Sequence, residues 1–150
     1  IESNHLIFIS SDGKREGYEI FKERINNNSW PIYNKTPQSI NIQEGKNVLF
    51  YIAGTNNFSQ NFIASASISN IINQKTTTVD PNQEFKQVLF SVQFKDVNYF
   101  EKPLNIKEHI NNLSFIEPDK RKIYGLYFQG GVCKINKQSY DYIINNTSKN

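Results

Sequence analysis

The stretch Asn47 to Gly54, NVLFYIAG, constrains this fold more than any other. Read as a strand, it sends Val48, Phe50 and Ile52 to one side and Leu49, Tyr51 and Ala53 to the other. Both sides are apolar. A strand of that kind sits inside a sheet that is covered on both faces, because one apolar face would otherwise meet water. The chain must therefore supply further strands and at least two covering layers.

Other segments offer them. HLIFIS, His5 to Ser10, is a short apolar run closed by Ser11-Asp12-Gly13, and reads as a buried strand and a turn. KREGYEIFKERI, Lys14 to Ile25, spaces Tyr18, Phe21 and Ile25 on one helical face, with Asn26 to Ser29 ending the helix. Glu44-Gly45 reads as a turn. TNNFSQ is a loop, and NFIASASISNII is a strand whose small residues Ala64, Ser65, Ala66 and Ser67 permit close approach. QVLFSVQF, Gln87 to Phe94, alternates cleanly and carries no charge, so it is expected to pair on both edges.

Between these lie segments read as irregular. Pro31 and Pro37 are expected to keep Trp30 to Ile42 out of regular structure. NQKTTTVDPNQE, Asn73 to Glu84, reads as a long mobile polar connection. Toward the C-terminus, Asn105 is a plausible N-cap of a short helix with Ile106, Ile110 and Leu113 on its apolar face. KRKIYGLYFQGGVCKI is expected to form two short strands. A last helix follows, capped by Asn136, with Tyr140, Ile143 and Ile144 facing inward. The order of elements suggests a small α+β pseudo-barrel formed by residues 1–150 as one domain.

Composition narrows the functions open to such a chain. Its 150 residues suffice for a hydrophobic core, and 37% apolar with 13% aromatic content excludes a disordered class. A net charge of +3 permits contact with nucleic acid without requiring it. One Cys excludes an intramolecular disulfide framework, and one Cys with two His cannot supply the usual zinc ligand set, so no metal and no cofactor are expected. No apolar run is long enough to span a bilayer and no signal-peptide pattern opens the chain, so no membrane contact and a cytoplasmic location are expected. The chain opens at Ile1 and contains no Met, so a longer natural chain is expected.

Catalytic patterns are missing. There is no G-x-S-x-G, P-loop, H-E-x-x-H or G-x-G-x-x-G. His5 and His109 read as half-buried structural residues, and Cys133 as an inert buried thiol. The carboxylates show no telling paired spacing. A binding function fits better than an enzyme.

The only Trp, Trp30, stands among Asn, Ser, Pro and Lys in NNNSWPIYNKTPQ. In a connector, such a ring can stack on a flat ligand, and base–aromatic stacking contributes about 1–3 kcal/mol per base. Ser10, Ser11, Asp12, Ser29, Thr55, Asn56 and Asn57 can supply a polar edge. The alternative is that Trp30 packs over the first helix.

Two blocks carry a family resemblance. INIQEGKNVLFYIAGTNNFSQNFIASASI, with its Gly turn, a strand ending in Tyr-x-x-Gly, a loop and a small-residue strand, resembles the signature of EVE domains in the PUA-like superfamily. PLNIKEHINNLSFI and YGLYFQGGVCKINKQSYDYII are similar to the C-terminal half of the same family. The resemblance implies a pseudo-β-barrel of five to six mixed strands flanked by about three helices. It also implies a non-catalytic domain that holds a modified nucleobase of DNA or RNA in an aromatic-lined pocket, which base flipping would fill.

In the related YTH domains a cage Trp lies just after the first helix, and Trp30 stands at the matching point. The resemblance thus implies a base pocket made by Ser10, Ser11, Ser29, Trp30, Pro31, Tyr33, Tyr51, Gly54, Thr55 and Asn56, with Phe85 as the second aromatic. Lys14, Arg15, Lys35, Arg121 and Lys134 are candidates for phosphate contacts. The alternative function is a sensor of a small molecule or nucleotide metabolite using the same slot.

Overall fold

The computed structural model describes residues 5–11, 15–33, 36, 38–79 and 85–147, without the side chains of 74–79 and 85–87. Its six strands form one curled sheet: β1 (His5–Ser10), β2 (Trp30–Tyr33), β3 (Asn47–Ile52), β4 (Asn61–Val79), β5 (Phe85–Asn105) and β6 (Val132–Ile135). The spatial order is β2-β5-β4-β3-β1-β6. β1 and β3 run parallel, and every other pair is antiparallel. The sheet is therefore mixed, and it curls into a half-barrel.

β3 lies between β1 and β4, as its two apolar faces required. Leu6, Phe8, Val48, Phe50 and Ile52 join one core cluster with Phe21, Trp30, Val92 and Phe94. Ile7, Ile9, Leu49 and Tyr51 join a second, on the other face, with Phe62, Leu104, Phe128 and Ile143. The small residues of β4 sit opposite large ones of β3, Ala64 against Phe50 and Ala66 against Val48. The β4–β5 ladder shifts register at four places, between Phe62/Ala64, Ser65/Ser67, Ile68/Asn70 and Asn73/Thr76. Such irregularities bend strands and raise twist, which curls the sheet.

Three α-helices flank it: α1 (Gly17–Asn26), α2 (Ile106–His109) and α3 (Lys137–Thr147). The expected caps are in place, with Asn105 Oδ1 accepting from Lys107 N at 2.9 Å and Asn136 Oδ1 accepting from Ser139 N at 2.9 Å. α1 starts at Gly17 because it must approach β1 closely. A Cβ on Gly17 would lie 2.9 Å from the Ser10 carbonyl oxygen.

Three segments differ from expectation. Trp30 opens strand β2 rather than lying in an irregular connector, and Ser39–Asn41 forms a 3-10 turn. Pro31 is tolerated because β2 is an edge strand, where a missing N–H costs no ladder bond. The polar stretch after Ile72 continues β4 to Val79, pairing Thr76 with Val88 and Thr78 with Lys86. Residues 80–84 of that expected connection lie outside the described ones. KRKIYGLYFQGGVCKI contributes one strand, β6. Most of the remainder belongs to a 3-10 segment, Pro118–Phe128.

Candidate functional site

The end of α1 explains where Trp30 goes. Asn27 caps the helix, Asn28 adopts a left-handed φ of 47°, and the Ser29 N–H donates to the Arg24 carbonyl at 3.0 Å. Asn28 Oδ1 then accepts from Phe94 N at 2.7 Å, tying the turn to β5. The chain thus swings Trp30 under the helix. Its ring is 2% exposed. Phe50, Phe8, Phe94 and Phe21 surround it at centroid distances of 5.3, 5.6, 6.1 and 6.4 Å, and the Arg24 guanidinium stands 4.9 Å from the ring centroid. Trp30 is thus a core side chain rather than a solvent-facing wall. A base could stack on it only if Arg24 or part of that aromatic cluster moved.

Ser10 is also 2% exposed, and its hydroxyl donates to the Gly17 carbonyl at 2.6 Å. Ser29 is exposed, while Pro31 and Tyr33 are half-buried along β2. Thr55 and Asn56 are exposed in the loop after β3. Phe85 opens β5 opposite Val79, and its side chain lies outside the described ones. Lys14 and Lys35 also lie outside the described residues.

An open pocket lies on the other face of the sheet, that of the second core. It measures about 440 Å³. Ile9 and Ser11 line it from the end of β1, and Tyr51, Ala53 and Gly54 from the end of β3. Gln60 comes from the following loop, and Tyr124, Gly125, Phe128, Gln129, Gly130 and Gly131 from the segment before β6. Three of the sequence-predicted residues, Ser11, Tyr51 and Gly54, therefore meet here, while Trp30, Ser29, Thr55 and Asn56 do not line it.

Tyr51 and Phe128, stacked 4.1 Å apart at 15°, lie behind the lining of this pocket as core side chains, 1% and 6% exposed, and its half-buried aromatic is Tyr124. Its polar wall is Gln60. The Tyr124 hydroxyl donates to Gln60 Oε1 at 2.5 Å, the Tyr51 hydroxyl approaches the same atom at 3.4 Å, and Gln60 Nε2 donates to the Gly54 carbonyl at 2.8 Å. Burial raises the pKa of both phenols, with Tyr124 adding to the shift at Tyr51. Both stay protonated at neutral pH, so they are neutral donors. Among the described residues no charged side chain lines the pocket.

Gln60, Tyr124 and Phe128 were not anticipated. Tyr124 and Phe128 lie in a segment read as strands, where aromatics signal core rather than a wall. Gln60 has no sequence signal, since one of its phenol partners lies 64 residues away.

The predicted cations are dispersed. Arg15 is exposed and paired with both Glu23 carboxylate oxygens at 3.1 Å, and Lys134 is exposed on β6. Arg121 is half-buried in the segment that walls the pocket, and its Nε has no hydrogen-bond partner among the described residues.

The remaining reactive groups are structural. His109 Nδ1 lies 2.7 Å from the Tyr142 hydroxyl. His5 stacks on Tyr140 at 4.0 Å and is 8% exposed. Burial pushes the Cys133 thiol up to about 12, so it is not a thiolate at neutral pH. Among the described residues no cluster of His, Cys, Asp or Glu could hold a metal ion, and no helix is long and apolar enough to cross a membrane.

The sequence model of the family described as EVE domain matches residues 11–146. No curated protein matches the sequence. The fold is similar to the NMR structure of Rpa0253 from Rhodopseudomonas palustris, with a TM-score of 0.57 at 10% identity, over 95% of this chain and 92% of that one. It is also similar to the N-terminal domain of Staphylothermus marinus McrB, with a TM-score of 0.52 at 10% identity, over 97% of this chain and 95% of that one.

Proposed function

The chain belongs to the EVE domain family, a family of binding domains with a PUA-like fold that often binds nucleic acid, and from that premise we propose that it recognises a modified nucleobase in DNA or RNA. The observation that carries the reading is a pocket of about 440 Å³ in which the half-buried Tyr124 and Gln60 stand beside the buried Tyr51–Phe128 stack. Its volume falls in the range of small-ligand sites, roughly 300–1,000 Å³. A lining whose described side chains are uncharged and include a half-buried phenol suits a neutral base better than a phosphate. A base reaches such a pocket from a single strand or by flipping out of a duplex.

In this reading Ser11, Tyr51 and Gly54 contact the base together with Gln60, Tyr124 and Phe128. Trp30 acts indirectly, by holding α1 and β2 against the sheet. Arg121 and Lys134 provide phosphate contacts, which would make the affinity fall as salt rises.

The test compares oligonucleotides that carry one methylated base with their unmodified counterparts, at two salt concentrations, by fluorescence anisotropy. Gly125→Phe is the control, because a Cβ on Gly125 meets no heavy atom within 4 Å and a large side chain can enter the pocket mouth. The reading predicts tighter binding of one modified oligonucleotide and loss of that preference in Gly125→Phe. Binding of a free nucleoside with no salt-dependent oligonucleotide affinity would instead identify a metabolite sensor.

A further inference from the structure

Gln60 is held in place at more points than any turn residue needs. Its backbone sits at φ +66°, a left-handed conformation that a side chain bearing a Cβ adopts at a cost. Its N–H donates to the Ile52 carbonyl at 2.6 Å, and its carbonyl accepts from Ile106 N at 2.9 Å, so the residue is clamped between the end of β3 and the start of α2. Its amide is clamped as well. Oε1 faces two phenol hydroxyls and Nε2 faces the Gly54 carbonyl. Turning the amide over would set Oε1 against that carbonyl, acceptor against acceptor. The orientation is therefore fixed.

The hydrogen-bond inventory then says what the amide can offer. An amide oxygen has two lone pairs, and two phenols address them here. An amide nitrogen has two hydrogens, and Gly54 takes one. One N–H is left to the pocket as a donor. At the other end of the amide the Tyr124 hydroxyl, 2.5 Å from Gln60 Oε1, has its proton committed to Gln60 and lone pairs that can accept. A neutral donor held in one orientation, with a neutral acceptor on the same wall, can pair with a planar ligand edge that presents an acceptor and an N–H.

From this we infer that Gln60 is the residue that determines specificity in the pocket, reading the hydrogen-bonding edge of the bound base, with Tyr124 as the residue that positions it. The inference rests on the modified-base reading above and deepens it. It separates the site into an aromatic surface that any base can use and an edge reader that only a base with a matching edge satisfies. A site built to hydrogen-bond a ligand discriminates strongly against one that cannot reciprocate, because its own buried groups are then left unpaired.

The experiment measures affinities of the wild type, Gln60→Glu and Tyr124→Phe for a set of oligonucleotides. Each carries one N4-methylcytosine or one N6-methyladenine, the marks that alter the hydrogen-bonding edge itself, or no modification. Gln60→Glu keeps the length and an acceptor for both phenols, replaces the N–H by a carboxylate oxygen against the Gly54 carbonyl, and adds a charge that weakens binding of modified and unmodified strands alike. Tyr124→Phe alters a half-buried side chain and releases the amide without touching the clamped backbone. Thermal melts establish that both variants fold. The quantity read is the ratio of affinities between the preferred modified oligonucleotide and its unmodified counterpart, which a general loss of stability does not move. The expected result is a fall in that ratio of about tenfold for Gln60→Glu, the equivalent of one hydrogen bond to a neutral partner. A smaller fall is expected for Tyr124→Phe. A wild type that prefers one mark, with the same ratio in both folded variants, would overturn the role of Gln60 and leave the base-binding reading standing. A wild type that shows no preference among the oligonucleotides would overturn both.

Discussion

At the scale of single residues, Trp30 shows most plainly how far a polar context can mislead. NNNSWPIY reads as a connector because its residues favour turns, and they do make one. Asn28 in its left-handed conformation and the Asn28–Phe94 hydrogen bond are that turn. The turn's product is a core tryptophan. Trp30→Ala is accordingly expected to destabilise the domain by about 3–5 kcal/mol, the cost of emptying a large aromatic site, measured by urea denaturation followed by circular dichroism. Native tryptophan emission should be that of a buried indole and shift to the red on unfolding. Cys133 makes a second residue-scale prediction. With its thiol pushed up to about 12, it should react with a maleimide at neutral pH far more slowly in the native protein than in denaturant. His5 makes a third. Burial lowers its pKa below the ordinary 6.5, against the opposing pull of Asp141. The folded state thus disfavours the proton that the unfolded chain accepts. Its contribution to stability is complete above about pH 6.5 and is lost as pH falls through the lower folded value. Melting temperature should fall between pH 7 and pH 5, and His5→Phe, which keeps the stacking on Tyr140, should flatten that slope.

At the scale of elements, legibility followed burial. β1 and β3 could be read because their runs are apolar on both faces, and the order of strands around β3 follows from that. β5 could be read as paired on both edges because no charge breaks Gln87 to Phe94. β2 could not, since proline argues against regular structure and only an edge position excuses it. The Thr-rich end of β4 looked like a loop because its residues are polar, yet threonine is a good strand former and β5 supplied a partner. Pro118–Phe128 hid its nature behind aromatics and a glycine. The close contact between α1 and β1 depends on Gly17. Gly17→Ala would drive a methyl to within 2.9 Å of the Ser10 carbonyl oxygen, and a cost of about 1–3 kcal/mol is expected, read as a lower urea midpoint. Asn136→Ala removes the cap of α3 and should cost about 1 kcal/mol in the same assay.

At the scale of the whole molecule, the half-barrel has two cores, and the candidate residues of the sequence fall on both. Resemblance led to Trp30 in the first core, while the open pocket is on the side of the second, among residues from three separate segments. Tyr51 and Gly54 were in view because a strand end is a local feature. Gln60 and Tyr124 were not, because their meeting is a product of topology. On the proposed reading, phosphate contacts and the base pocket contribute separately. Lys134→Ala or Arg121→Ala should weaken binding to modified and unmodified strands alike, and reduce the dependence of log affinity on log salt by about 0.7 per lost contact with a single strand. The most direct measurement is a map of amide chemical shifts in the labelled protein as a methylated oligonucleotide is added. The account predicts perturbations at Tyr51, Gly54, Gln60 and Tyr124 to Gly131, with the Trp30 indole resonance unmoved. Perturbations gathered at Ser29 to Tyr33 and the Trp30 indole, with the pocket amides silent, would contradict it.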